Sequence, residues 1–175
     1  MAVDKRTAER LVCDYGGRLY AFCLRITQNK TNADDLYQQT FLKILDMTAE
    51  LDWNDNPASF LMAVAARVWK DEQRKFARRN RILPPAQDDQ DIAAAPDDTS
   101  VAEQMEQKQH RADVQRAMRQ LSDTLRAPVL LYYMAELSIQ EIAKTLHIPQ
   151  GTVKSRLNQA KKKLKVELER VGYGT

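Results

Sequence analysis

With 175 residues, 29% of them charged and 43% hydrophobic, the chain has room for one domain or two small ones, each with a modest core. Its 27 basic and 24 acidic residues leave a net charge of +3, too small in itself to identify a nucleic-acid binder. No apolar run is long enough to enter a membrane and no secretory leader is visible, so the expected location is the cytoplasm, with no membrane insertion.

Every long segment has helical period. Residues 5–28 carry an apolar stripe of Leu11, Val12, Tyr15, Leu19, Phe22, Cys23 and Ile26, and Gly16–Gly17 marks where it would divide in two. Cys13 and Cys23 are the only cysteines. On one continuous helix they stand roughly 15 Å apart, too far to bridge. A kink at the glycine pair would bring them closer, so buried thiols are the preferred reading and a redox role stays open. Thr31 is placed to cap the next helix, with Asp34 in the capping-box position. That helix turns Leu36, Tyr37, Thr40, Phe41, Ile44 and Leu45 inward and shows Asp34, Asp35, Gln38, Gln39 and Lys43 outward.

The stretch 46–56, containing Trp53 and Asn54, reads as a loop ended by Pro57. A helix over 57–79 follows, with Phe60, Leu61, Val64, Ala65, Val68 and Trp69 inward. Its second half is strongly basic, with Arg67, Lys70, Arg74, Lys75, Arg78 and Arg79. Residues 84–100 have no periodicity and hold Asp88, Asp89, Asp91, Asp97 and Asp98 without a single base, the composition of a flexible acidic linker. Helix returns over 101–119 and over 122–135, where Ser122 caps and Pro128 predicts a kink.

The most informative stretch comes last. Ser138 caps a short helix with Glu141 as its capping-box partner, while Leu137 and Ile142 take the staple positions. His147 takes the turn position that favours a left-handed backbone, and Pro149 opens the final helix. There Val153, Leu157, Ala160, Leu164 and Leu168 form one stripe, opposite a face of Lys154, Ser155, Asn158, Gln159, Lys161 and Lys162. A capped helix, a short turn and a split-faced basic helix together describe a helix-turn-helix. The fold class is therefore all-α: two small helical domains joined by a flexible linker, the second with a helix-turn-helix. The boundaries fall at 1–83, 84–100 and 101–175.

Three motifs carry a family resemblance. Asp34-Asp35-Leu36-Tyr37-Gln38-Gln39-Thr40-Phe41-Leu42, then Phe60-Leu61-Met62-Ala63-Val64-Ala65 with Asp71 and Arg74-Lys75, then Leu137 to Lys163, occur in that order. They resemble the acidic polymerase-binding helix, the −10 helix and the −35-reading helix-turn-helix of bacterial RNA polymerase sigma factors of the extracytoplasmic-function group. The resemblance covers nearly the whole chain except the linker. It departs at Glu136 and His147, where the family usually has glycine, and at Gln39, Arg67 and Gln159.

The resemblance implies a transcription initiation factor that binds core RNA polymerase and directs it to promoter DNA. It assigns polymerase binding to Asp34, Asp35, Gln38 and Gln39, although an acidic face alone is also what a solvated surface looks like. It assigns −10 DNA to Trp53, Asn54, Arg67, Lys70, Arg74, Lys75 and Arg78, and −35 DNA to Lys154, Ser155, Arg156, Asn158, Gln159, Lys161 and Lys162. It also implies an anti-sigma factor that would clamp two domains otherwise free to sample several separations. The alternative is a helix-turn-helix regulator that does not deliver polymerase. An enzyme is not expected: His110 and His147 lie in unrelated places, and no nucleophile, metal-ligand or cofactor motif is present.

Overall fold

The computed structural model describes residues 5–46, 56–80 and 104–173. Among these the elements are seven helices and no strand: α1 (Lys5–Thr27), α2 (Lys30–Asp46), α3 (Pro57–Asn80), α4 (Gln104–Arg119), α5 (Asp123–Tyr133), α6 (Ile139–Leu146) and α7 (Gln150–Arg170). The linker at 84–100 lies outside the described residues, as do Trp53 and Asn54.

Helix α1 runs through its glycine pair unbroken, so Cys13 and Cys23 stay on one helix as free thiols, Cys13 exposed and Cys23 buried. Burial pushes the Cys23 thiol up to about 12. Gly16 has a packing reason to be glycine: a Cβ there would sit 2.8 Å from the Tyr37 hydroxyl on α2. Gly17 faces open space. Val12, expected inward, is exposed, as is Leu45 at the end of α2.

The cap of α2 differs from expectation. Asn29, not Thr31, begins the helix: its carbonyl accepts from Ala33 and its side chain from the Asn32 amide at 3.0 Å. Gln28 before it adopts a positive φ of 56°, which turns the chain between α1 and α2. Asp34 is thus free of capping and serves another partner. Asn56 caps α3 through the Ser59 amide, with Pro57 at the first helical position, where a missing N–H removes nothing. In α5 the chain passes through Pro128 as helix; the lost bond is the one to Thr124 in the first turn.

The two halves do not stand apart. Buried residues from α1, α2 and α3 and from α4, α5, α6 and α7 form one hydrophobic cluster, and α3 packs on α1 and α2 while also meeting α5 and α6. That double packing explains why Ala58, Met62 and Ala66 are buried as well as the expected Leu61, Val64 and Ala65. At the seam lies Arg126, 6% exposed. It donates to the carbonyls of Met118 and Leu121, to Asp123 at 2.7 Å, and across the seam to the Ile26 carbonyl of α1 at 3.3 Å. Burial pulls its pKa down and Asp123 opposes that shift. A buried guanidinium is tolerable only with such a set of acceptors.

The contrast at the glycine pair is testable by chemical denaturation. Gly17→Ala is expected to add about 0.5–1 kcal/mol of stability by removing the backbone entropy of a helical glycine. Gly16→Ala is expected to lose that gain because Tyr37 must move. Equal gains at the two sites would show that the Tyr37 hydroxyl does not define the space.

Candidate nucleic-acid and protein interfaces

The helix-turn-helix is built by local chemistry. Ser138 Oγ accepts from the Glu141 amide at 3.1 Å, and the Glu141 carboxylate accepts from the Ser138 amide at 2.7 Å, a complete capping box. Helix α6 ends at His147 with φ 54° and ψ 47°, where the Ile148 amide reaches back to the Ala143 carbonyl. Glu136, before the cap, also has a positive φ of 55°. Both positions where the family usually has glycine are therefore left-handed, and side chains occupy them at a steric cost of roughly 1–2 kcal/mol each.

In α7, Val153, Leu157 and Ala160 are buried and Leu164 is half-buried. Lys154, Ser155, Asn158, Gln159, Lys161 and Lys162 are exposed. The start of α7 lies next to a cleft of about 420 Å³ shared with Ser122, just before α5, and Thr124 of α5. Arg156 differs from its neighbours: it is half-buried and close enough to Lys70 of α3 to help lower that lysine's pKa.

On α2, Asp34, Asp35 and Gln38 share one exposed face, with Gln39 half-buried beside them. Asp34 accepts a 2.5 Å hydrogen bond from the Tyr20 hydroxyl of α1, and Asp35 accepts from Gln39 at 2.7 Å. Tyr20 and Tyr37 meet edge to face at 5.6 Å, as do Tyr37 and Phe41 at 5.0 Å. The acidic face is therefore held by an aromatic stack beneath it. Asp35 and Gln39 also line a cleft of about 650 Å³ with Trp69 and Phe76 of α3, so the acidic helix and the basic helix share a groove.

The basic half of α3 divides in two. Arg74, Lys75 and Arg78 are exposed, with Lys75 3.7 Å from Glu72. Arg67 and Lys70 instead point at the end of α6. Arg67 Nη2 lies 2.9 Å from His147 Nε2, and the Lys70 ammonium donates to the Leu146 carbonyl. Burial, then Arg74 and Arg156, lower the Lys70 pKa. The seam residues Ser59, Arg25 and Arg126 are absent from the sequence-based site set. For Arg126 a signal existed, an arginine three residues after Asp123 in an otherwise apolar helix.

These elements define an all-α DNA-binding protein with a helix-turn-helix at one end and an acidic and a basic helix at the other. Comparison with known proteins names the family. Residues 11–80 match sigma-70 region 2, and residues 111–164 match sigma-70 region 4, which together take in more than half of the chain. SigL, an ECF RNA polymerase sigma factor of Mycobacterium tuberculosis, is 28% identical over 172 residues, covering 98% of this chain and 94% of SigL. SigW of Bacillus subtilis, another ECF sigma factor, is 25% identical over 180 residues, covering 94% and 90%. The sigma factor RpoE in complex with the anti-sigma factor NepR from Bartonella quintana has the same fold, with a TM-score of 0.69, 20% identity, and coverage of 95% and 98%. The chain belongs to the sigma-70 family, in its extracytoplasmic-function group. It is a transcription initiation factor that directs RNA polymerase to promoters. The presence of both regions disfavours a regulator that does not deliver polymerase.

The Tyr20–Asp34 contact predicts a titration. The hydrogen bond that Tyr20 donates to the Asp34 carboxylate, then burial, raise the Tyr20 phenol from 10.0 to about 12. Folding therefore gains from this bond below the unfolded pKa near 10 and loses the gain as pH rises through the folded value. Asp34→Asn is expected to bring one phenol back toward the ordinary range, read by carbon NMR of labelled tyrosine. An unmoved tyrosine titration would remove the contact.

Proposed function

We propose that the face of α2 formed by the exposed Asp34, Asp35 and Gln38 and the half-buried Gln39 docks on core RNA polymerase. In this reading Arg67, Lys70, Arg74, Lys75 and Arg78 of α3, with Trp53 and Asn54, take the melted −10 strand. Lys154, Ser155, Arg156, Asn158, Gln159, Lys161 and Lys162 of α7 meet the −35 element. The domains divide as 1–83 and 101–175 around a linker at 84–100. The protein works in the cytoplasm by binding rather than catalysis, and among the described residues no helix is long and apolar enough to cross a membrane. An anti-sigma factor is its inhibitory partner, by likeness to the RpoE–NepR complex.

One observation carries the reading: the split of α7 into a buried apolar stripe and an exposed face that mixes Lys154 with Ser155, Asn158 and Gln159 at its start and is wholly cationic at Lys161, Lys162 and Lys163. A major groove offers base edges to the start of an entering helix and phosphates to its continuation. Run-off transcription with core polymerase on a promoter template is the direct test. A chain that binds −35 duplex but never supports initiation would leave only DNA binding.

Two sets of variants separate the parts. Asp35→Lys leaves the Tyr20–Asp34 contact intact, and is expected to weaken core binding at least tenfold in a pull-down with helicity unchanged. Unaltered core affinity would remove α2 from the polymerase interface. On −35 duplexes across a salt series, Asn158→Ala is expected to lose about 1–3 kcal/mol on the preferred site and to change which sequence is preferred. Lys162→Ala is expected to weaken all sequences alike and to lower the salt slope by about one. Identical sequence profiles and slopes for the two variants would contradict this division of α7.

A further inference from the structure

The apolar stripe of α7 outruns the core it packs on. Val153, Leu157 and Ala160 are buried, but Leu164 and Leu168 further along are half-buried and line a groove of about 680 Å³. Its other apolar walls include Val114 and Met118 of α4 and Val129 and Leu130 of α5. Small-molecule sites have volumes of about 300–1,000 Å³, and this groove falls within that range. Tyr173, just past α7, is fixed in the wall by two contacts. Its hydroxyl donates to Asp113 at 2.9 Å, and its ring meets His110 edge to face at 5.1 Å.

Charge around the groove has one sign. Arg25, Arg111, Lys161 and Lys165 line it, and among the described residues no carboxylate does. The Asp113 carboxylate has its own partners: Gln109 at 3.2 Å, Tyr173, and Arg116 at 3.7 Å. Lys165 stands 4.0 Å from Glu169, an exposed pair that holds it only weakly. An apolar floor with a cationic rim calls for an occupant with an apolar body and an anionic end. Size decides what that body is. A helix with its side chains is about 10–12 Å across and rises about 5.4 Å per turn, so about 680 Å³ takes little more than one turn. A single acyl chain fits whole. We propose that the groove between α4, α5 and α7 is a binding site for a fatty-acid anion. The chain lies on Leu164, Leu168 and Met118, and the carboxylate is held by the basic rim. Of the residues assigned to the −35 element the site touches only Lys161.

Titration calorimetry on the full chain tests this, with dodecanoate kept below the concentration at which it forms micelles. One dodecanoate is expected per chain. Each buried methylene is worth roughly a fourfold gain in affinity, so decanoate, two methylenes shorter, is expected to bind at least fivefold more weakly. Dodecyltrimethylammonium, with the same chain and the opposite charge, is expected to bind at least tenfold more weakly than dodecanoate. Leu168→Glu puts a carboxylate on the apolar floor and is expected to weaken dodecanoate at least tenfold. Gln115→Glu puts one at a half-buried polar position of the lining, with an expected loss of at least threefold. If Leu168→Glu loses helicity, Gln115→Glu alone carries the test. Absence of saturable binding, or equal binding of the two head groups, would overturn the proposal. Dodecanoate binding that neither variant weakens would place the ligand elsewhere and overturn it too. Light scattering distinguishes a further occupant: a dimer that Leu168→Glu abolishes, in a chain that ignores dodecanoate, would give the groove to a second copy. Binding to phosphatidylglycerol vesicles without binding to monomeric dodecanoate would give it to a lipid surface.

Discussion

The double burial of α3 is the constraint on which the rest of the molecule depends. A helix with one apolar stripe needs one partner. This one buries Leu61, Val64 and Ala65 and also Ala58, Met62 and Ala66, so its first half is enclosed on more than one side. Small side chains at 58, 65 and 66 allow neighbouring backbones to approach, and dispersion contacts multiply as the gaps close. The second half of the same helix is basic and emerges from the core. A single element thus joins the cores of both domains and presents cations just beyond them.

Polar groups at the seam follow from that burial. Closing two helical domains on each other would strand carbonyls at helix ends, and Arg126 meets several of them with one planar donor set. Such a group contributes more to the choice of arrangement than to stability, because desolvating a guanidinium offsets much of what its hydrogen bonds return. Trp69 is the exception: its indole N–H is buried without a partner among the described residues. It lies where α3 leaves the core beside the acidic helix.

Local chemistry sets the helix-turn-helix with little help from the rest of the chain. The capping box orients the start of α6, the left-handed His147 turns the backbone, and Pro149, with φ −63° and ψ 150°, sets the entry to α7. These choices fix which side of α7 is buried, and so which of its side chains stay exposed. Side chains at the left-handed positions Glu136 and His147 make the turns costlier than glycine would. At His147 that side chain is the one that meets Arg67.

The order of helices, the capping box, the turn and the split face of α7 were all legible in the amino-acid sequence, because each depends on residues within about one turn of one another. The family resemblance was legible too, as three motifs in order. Misplaced details were those that needed a distant partner. Thr31 looked like a cap until Asn29 was seen to take that role, and the glycine pair looked like a break until Tyr37 was seen filling the space above Gly16. In the sequence, nothing separates Arg67 and Lys70 from the rest of the basic run on their helix. Only the tertiary structure decided that they face the end of α6. Sequence by itself determined what each helix is and which of its faces is apolar. It could not determine how one domain lies against the other, since that follows from packing between residues about 80 to 110 apart, which no local period encodes.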